Sequence, residues 1–112
     1  METTETIEVL AALAQATRLA AFRALVAAEP DGLPAGDLAR VLEIPQNTLS
    51  AHLAVLSRAG LVSAERNGRS IVYRAVLGRL AGLVDELAAE CCGGHPERCG
   101  TPVIALSKEV TP

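Results

Sequence analysis

The chain has 112 residues, about one domain's worth, and half of them are apolar, so it can bury a modest core of the kind that often gains stability by oligomerising. One Phe, one Tyr and no Trp leave the packing to Leu, Ala, Val and Ile, a composition that favours helix over sheet. A net charge of −3 by itself argues weakly against a nucleic-acid partner, and charge and hydropathy together speak against two other classes. Glu2, Glu5 and Glu8 precede the first base, Arg18, which is the wrong sign for a secretory or mitochondrial leader. No apolar run approaches the roughly 20 residues that cross a bilayer, so no membrane is expected and the cytoplasm is the expected compartment.

Residues 6–14 place Ile7, Leu10 and Leu13 at helical spacing, and residues 17–29 repeat the pattern with Leu19, Phe22 and Val26, with Leu25 alongside. Glu29-Pro30-Asp31-Gly32 ends this second helix by turn chemistry. A shorter third helix is predicted from about Pro34, a residue favoured at a first helical position, to Leu42, with Leu38, Val41 and Leu42 inward. Glu43-Ile44-Pro45 connects it tightly to a fourth helix, Gln46 to Ala59, with Leu49, Leu53 and Leu56 on one face. Asn47, Ala51, Ala54 and Arg58 fall on the opposite face with Ser50 beside them. Two short helices joined by a tight turn, the second with a small and polar outer face, form a helix-turn-helix candidate.

After Gly60, which ends the fourth helix, the periodicity changes from 3.6 to 2. Residues 61–66 and 70–74 flank Asn67-Gly68, a dipeptide suited to a two-residue type I′ turn, which predicts a β-hairpin with Arg66 and Arg69 at its tip. Residues 45–79 hold Arg58, Arg66, Arg69, Arg74 and Arg79 against Glu65 alone, while the rest of the chain carries five bases and twelve acids. That is a local basic footprint on an acidic body, or else a solvated surface with scattered arginines. From Leu77 to about Cys91, Leu77, Leu80, Val84, Leu87 and Cys91 recur in alternating steps of three and four. A core helix shows the same stripe, but the domain before it is already complete. It is therefore read as a dimerisation helix, with Ile7 and Leu10 of the first helix also available to a partner. Gly93-Gly94 stops it, and the residues beyond Gly100 carry no clear fold signal.

A helix-turn-helix followed by a basic hairpin is the winged-helix arrangement, in a chain that is mainly α. Specific sequence then matters: Ala14-Gln15-Ala16-Thr17-Arg18-Leu19, Leu38-Ala39-Arg40-Val41-Leu42, the run from Gln46 to Val62 containing Ser50-Ala51-His52-Leu53-Ala54-Val55-Leu56, and Arg66-Asn67-Gly68-Arg69 with Val72-Tyr73. Over roughly residues 6–92 this strongly resembles the ArsR/SmtB family of bacterial metal-sensing repressors. The resemblance implies a homodimer that binds double-stranded operator DNA, with Gln46, Asn47, Thr48, Ser50 and His52 on the recognition helix. Gln and Asn can bond an adenine edge twice, and hydroxyls suit bases or phosphates. Arg66 and Arg69 would serve as phosphate or minor-groove anchors, and Arg58 completes the candidate DNA-binding set. His52 has a second reading, as a half-buried polar residue at the border of the apolar face. Ala51 departs from the family, many of whose members carry Arg or Lys there, which leaves one contact in doubt.

All three cysteines lie in Cys91-Cys92-Gly93-Gly94-His95-Pro96-Glu97-Arg98-Cys99. In a reducing compartment such a cluster points to metal binding or redox chemistry rather than to a disulfide framework. Cys91, Cys92 and Cys99 can supply three thiolates, which suit a trivalent pnictogen, As(III) or Sb(III), whose lone pair fills the fourth direction. With His95 as a fourth ligand, a Cys₃His site for Zn(II) is the alternative, with cadmium and lead in the same class and thiol redox or sulfide sensing as a further one. Some arsenic-responsive relatives are similar in carrying an adjacent cysteine pair and a third cysteine just past the last helix. The cysteine pair that other relatives carry in the third helix is absent from Leu33-Pro34-Ala35-Gly36-Asp37-Leu38, and Asp85, Glu86 and Glu90 have no histidine in their helix and read as a solvated face. The chain thus divides into a DNA-binding and dimerisation domain, 1–92, and a ligand-binding loop and tail, 93–112. An enzyme is not expected: a nucleophilic thiol wants a helix N-terminus or a cation, and this pair closes a helix beside Glu90. A dimeric interaction module without DNA binding is the remaining alternative.

Overall fold

The computed structural model describes residues 1–91, in which five helices and a small sheet follow the order α1 (Thr3–Leu13), α2 (Ala16–Ala27), β1 (Leu33–Pro34), α3 (Ala35–Leu42), α4 (Gln46–Arg58), β2 (Val62–Asn67), β3 (Ser70–Ala75) and α5 (Leu77–Cys91). Cys92, His95 and Cys99 lie outside the described residues, as does the whole of the tail, and of Cys91 only its place as the last residue of α5 is described. Among the described residues no single helix is long and apolar enough to cross a membrane.

The core is aliphatic, as the composition implies. Leu25, Leu38, Leu49, Leu53, Leu56, Leu61 and Val9 are its largest fully buried side chains, and Phe22 is its one buried aromatic. Helix α4 meets the expectation: Leu49, Leu53 and Leu56 are buried, and Asn47, Ser50, Ala51, Ala54 and Arg58 are exposed on the other side. Elsewhere alanines shift the buried face. Helix α1 buries Val9 and Ala12 and leaves Ile7 and Leu10 exposed, at 60% and 43%; α2 buries Ala21, Phe22 and Leu25 and exposes Val26. Helix α3 buries Leu38 and Ala39 while the expected core residue Val41 is 62% exposed. In α5 the residue that enters the core is Leu83; Leu80 packs partly against it, Val84 is half-buried, and Leu77 and Leu87 remain 39% and 38% exposed.

The sheet is three-stranded and antiparallel in the order β1-β3-β2. Strand β1 is an addition to the sequence reading: Leu33 pairs with Tyr73 and Pro34 with Val72, so Pro34 is an extended residue ahead of α3 rather than its first helical residue. The hairpin turn also differs. Asn67 pairs with Ser70, which makes Gly68-Arg69 the two-residue loop, and only Gly68 has positive φ, at 66°. Glycine at the first central position belongs to a type II′ turn, whereas type I′ needs positive φ at both. Asn67 is thus a strand residue, and Arg69 sits in the turn itself.

Candidate nucleic-acid interface

Helix α4 is held from behind by its three leucines, which fixes the phase of its outer face. Gln46, Asn47, Thr48, Ser50, Ala51, Ala54 and Arg58 are exposed, with the Ser50 hydroxyl donating 3.0 Å to the Gln46 carbonyl. The hairpin brings Arg69 to the same side. A groove of 310 Å³ is lined by Gln46 and Ser50 of α4, by Arg69, Ser70, Ile71 and Tyr73 of the hairpin, and by the start of α3 at Pro34–Gly36. The recognition-helix candidates and the wing therefore share one concave surface. Arg66, paired in register with Ile71, is exposed on the hairpin.

The five-arginine footprint contracts in the structure. Arg74 is paired with Glu29 at 2.8 Å, and the carboxylate raises the already high guanidinium pKa. Arg79 donates from Nη1 to Glu5 at 3.1 Å and from Nε to the Ala59 carbonyl at 3.0 Å. Arg58, Arg66 and Arg69 have no carboxylate within ion-pair distance among the described residues, so the open positive charge rests on these three. The hydrogen bond from Arg79 holds the Glu5 carboxyl below its ordinary range. Because that pKa is depressed on folding, the bridge contributes above the usual carboxylate value and is lost as pH falls through the folded one.

His52 does not share the outer face. It is half-buried, and its Nδ1 lies 3.4 Å from Arg18 Nη1. Arg18 begins in a local arrangement: the Gln15 side chain caps α2 by accepting from the Arg18 backbone N–H at 2.8 Å. The Arg18 guanidinium then turns back to the end of α1, donating to the Ala12 carbonyl at 2.7 Å and to the Ala11 carbonyl at 3.3 Å. Both carbonyls belong to the last turn of α1, where that of Ala11 also accepts from the Ala14 N–H at 3.2 Å, and a cation there suits the helix dipole. The bridging roles of Arg18 and Arg79 were not visible in the sequence, since an arginine at the third residue of a helix gives no sign that it joins separate elements.

Two arginines thus connect α4 to the outer helices. Arg18 joins its middle to the end of α1, and Arg79 joins its terminal carbonyl to both α5 and Glu5 of α1. Gly60 makes room for the second: with φ of 79°, it ends α4 where a Cβ would stand 3.1 Å from Arg79 Nε. Among the described residues no group of three or more His, Cys, Asp or Glu is placed to hold a metal ion. Glu86 instead binds the Met1 amino group at 3.0 Å.

Residues 13–63 match a family model described as a helix-turn-helix domain. The HTH-type transcriptional repressor SmtB of Mycobacterium tuberculosis is 40% identical over 53 residues, 47% of this chain and 39% of that protein, so the chain spans less than half the length of this curated relative. The solved structure of the transcriptional repressor BigR from Xylella fastidiosa is similar at 32% identity and TM-score 0.61, over 77% of this chain and 85% of BigR. The homodimeric winged helix-turn-helix DNA-binding domain of Mb0332 from Mycobacterium bovis matches at 29% identity and TM-score 0.63, over 82% of this chain and 85% of that one. With the winged-helix order of elements, an exposed polar face on α4 and a basic hairpin beside it, these likenesses identify the chain as a member of the ArsR/SmtB family of helix-turn-helix transcriptional regulators.

Proposed function

We propose that the protein is a transcriptional repressor of the cytoplasm that binds operator DNA as a homodimer and releases it when trivalent arsenic, or antimony, binds Cys91, Cys92 and Cys99. The observation that carries the DNA-binding half is the shared groove: Gln46 and Ser50 of α4 and Arg69 of the wing line one surface, with unpaired Arg66 and Arg58 available to phosphates. Asn47 and Gln46 are the base readers, Thr48 and Ser50 supply hydroxyls, and the methyl groups of Ala51 and Ala54 suit thymine.

Dimerisation rests on apolar side chains that the domain leaves uncovered, Ile7 and Leu10 on α1 and Leu77 and Leu87 on α5, with Leu80 and Val84 at the edge of that strip. Mb0332, homodimeric by its description, is a relative of the same architecture. Two recognition helices must meet half-sites about one helical turn apart, so a small change at the dimer axis is enough to misplace them.

Release begins at the far end of α5. Cys91, the last residue of the helix, with Cys92 and Cys99 beyond it would hold a trivalent pnictogen through three thiolates, and Gly93-Gly94 would let the chain reverse between them. The other end of the same helix carries Arg79, whose bond to the Ala59 carbonyl ties α5 to the terminus of α4. A coupling of about 3 kcal/mol between ion and operator would change affinity roughly 150-fold. A Zn(II), cadmium or lead site using His95, and thiol redox sensing, remain the rival readings of the same residues. A mobility shift with the DNA upstream of the coding sequence tests the repressor: a shift is expected from the apo protein, and no shift at any protein concentration would refute the reading.

A further inference from the structure

Helices α1 and α4 face one another across small side chains. Ala11 and Ala12 follow Glu8 at steps of three and four on α1, and Arg58 and Ala59 follow Val55 in the same way on α4, so each helix turns a single face to the space between them. That space is a groove of 400 Å³, with Arg18 of α2 completing its lining. Its volume falls within the range of small-molecule sites, about 300–1,000 Å³. Ala12 and Ala59 are buried and Val55 is half-buried, which makes the floor aliphatic, while Glu8 and Arg58 are exposed.

Three charges line this groove, and none neutralises another: among the described residues Glu8, Arg18 and Arg58 take part in no ion pair. The Ala12 and Ala11 carbonyls hold the Arg18 guanidinium in place and use two of its five N–H groups, and Nη1 stands 3.4 Å from His52 Nδ1. A simple anion in the groove would meet Glu8, and a simple cation would meet two guanidiniums. A molecule carrying both signs of charge on an apolar body avoids either repulsion. We infer that the groove between α1 and α4 binds an aliphatic α-amino acid, with its ammonium on Glu8, its carboxylate on Arg58 and Arg18, and its side chain against Ala11, Ala12, Val55 and Ala59. One helical turn, about 5.4 Å, separates Glu8 from the carbonyls that hold Arg18, a span that one such zwitterion bridges with a charged hydrogen bond at either end.

Arg58 is also among the proposed phosphate contacts, so the test uses the full chain free of DNA and does not depend on the repressor reading. An NMR titration follows the amides of Ala11, Ala12, Val55 and Ala59 as leucine is added, and is repeated with leucinamide, which lacks the carboxylate, and with isocaproate, which lacks the ammonium. Leucine should saturate these shifts with a Kd below about 1 mM, and each analogue should bind at least about tenfold more weakly because one charge on the groove is left without its partner. Glu8→Gln should abolish the preference for leucine over isocaproate, and Arg58→Gln should reduce the preference over leucinamide; both side chains are exposed, so both variants should keep the remaining amide spectrum. No saturable shift at about 10 mM leucine, shifts centred away from α1 and α4, or either analogue binding as well as leucine overturns the inference. So does a Glu8→Gln protein that still prefers leucine to isocaproate.

Discussion

Helices α4 and α5 carry similar leucine stripes and use them differently. In α4, Leu49, Leu53 and Leu56 are all consumed by the core, so its apolar face is satisfied and its polar face is free for another molecule. In α5, Leu83 alone among the described side chains is fully taken in; Leu77 and Leu87 stay partly exposed although they lie on the stripe that a sequence reader assigns as one surface. A stripe says that a helix has an apolar side. How much of that side its own domain covers depends on how far the helix extends past the core, and the uncovered remainder is the surface we propose for a second subunit.

The contrast yields graded predictions. Leu53→Ala should cost about 2–5 kcal/mol in urea unfolding, while Ala54→Gln one residue on should change stability by less than about 0.5 kcal/mol. Equal effects would mean that the face of α4 is wrongly phased. On α5 and α1, Leu87→Lys combined with Ile7→Lys should leave a folded protein whose dimer dissociates about a hundredfold more readily in sedimentation. Unfolding in place of dissociation would put those residues in the core.

At the wing, Arg66→Ala with Arg69→Ala should weaken operator binding about tenfold and lower the salt slope by about 2, because two phosphate contacts disappear. Retention of both affinity and slope would remove the wing from the interface. The smallest effect concerns the turn between α3 and α4, where Glu43 adopts φ 56° and ψ 45°. A left-handed non-glycine residue is strained, and glycine relieves that at some entropic cost, so Glu43→Gly should stabilise by about 0.5 kcal/mol in thermal unfolding.

Most of the element order was legible because strong signals marked it: leucines at helical spacing in α4, the break at Gly60, alternation through the hairpin. The phase of the weaker helices was not. Ala12, Ala21 and Ala39 are buried, but alanine is neither clearly apolar nor polar in a pattern, so Val26 and Val41 drew attention to faces that point outward. Asn67-Gly68 suggested the wrong turn because Gly68 fits either turn type, and the register was decided by pairing along both strands. Strand β1 was too short to show a period. Least visible were the bridges made by Arg18 and Arg79, which depend on carbonyls and side chains brought together only in three dimensions. The cysteines proposed as ligands were conspicuous in sequence, and Cys92 and Cys99 lie outside the described residues, so for that site the sequence supplies the argument.

The most direct measurement follows the anisotropy of labelled operator on the full chain while As(III), Sb(III), Zn(II) or Cd(II) is added, for wild type and Cys99→Ser. The account predicts release of wild type by As(III) and Sb(III) near stoichiometric amounts, with the response much weakened in Cys99→Ser. Release by zinc but not by arsenite, or equal release of both proteins, would contradict it.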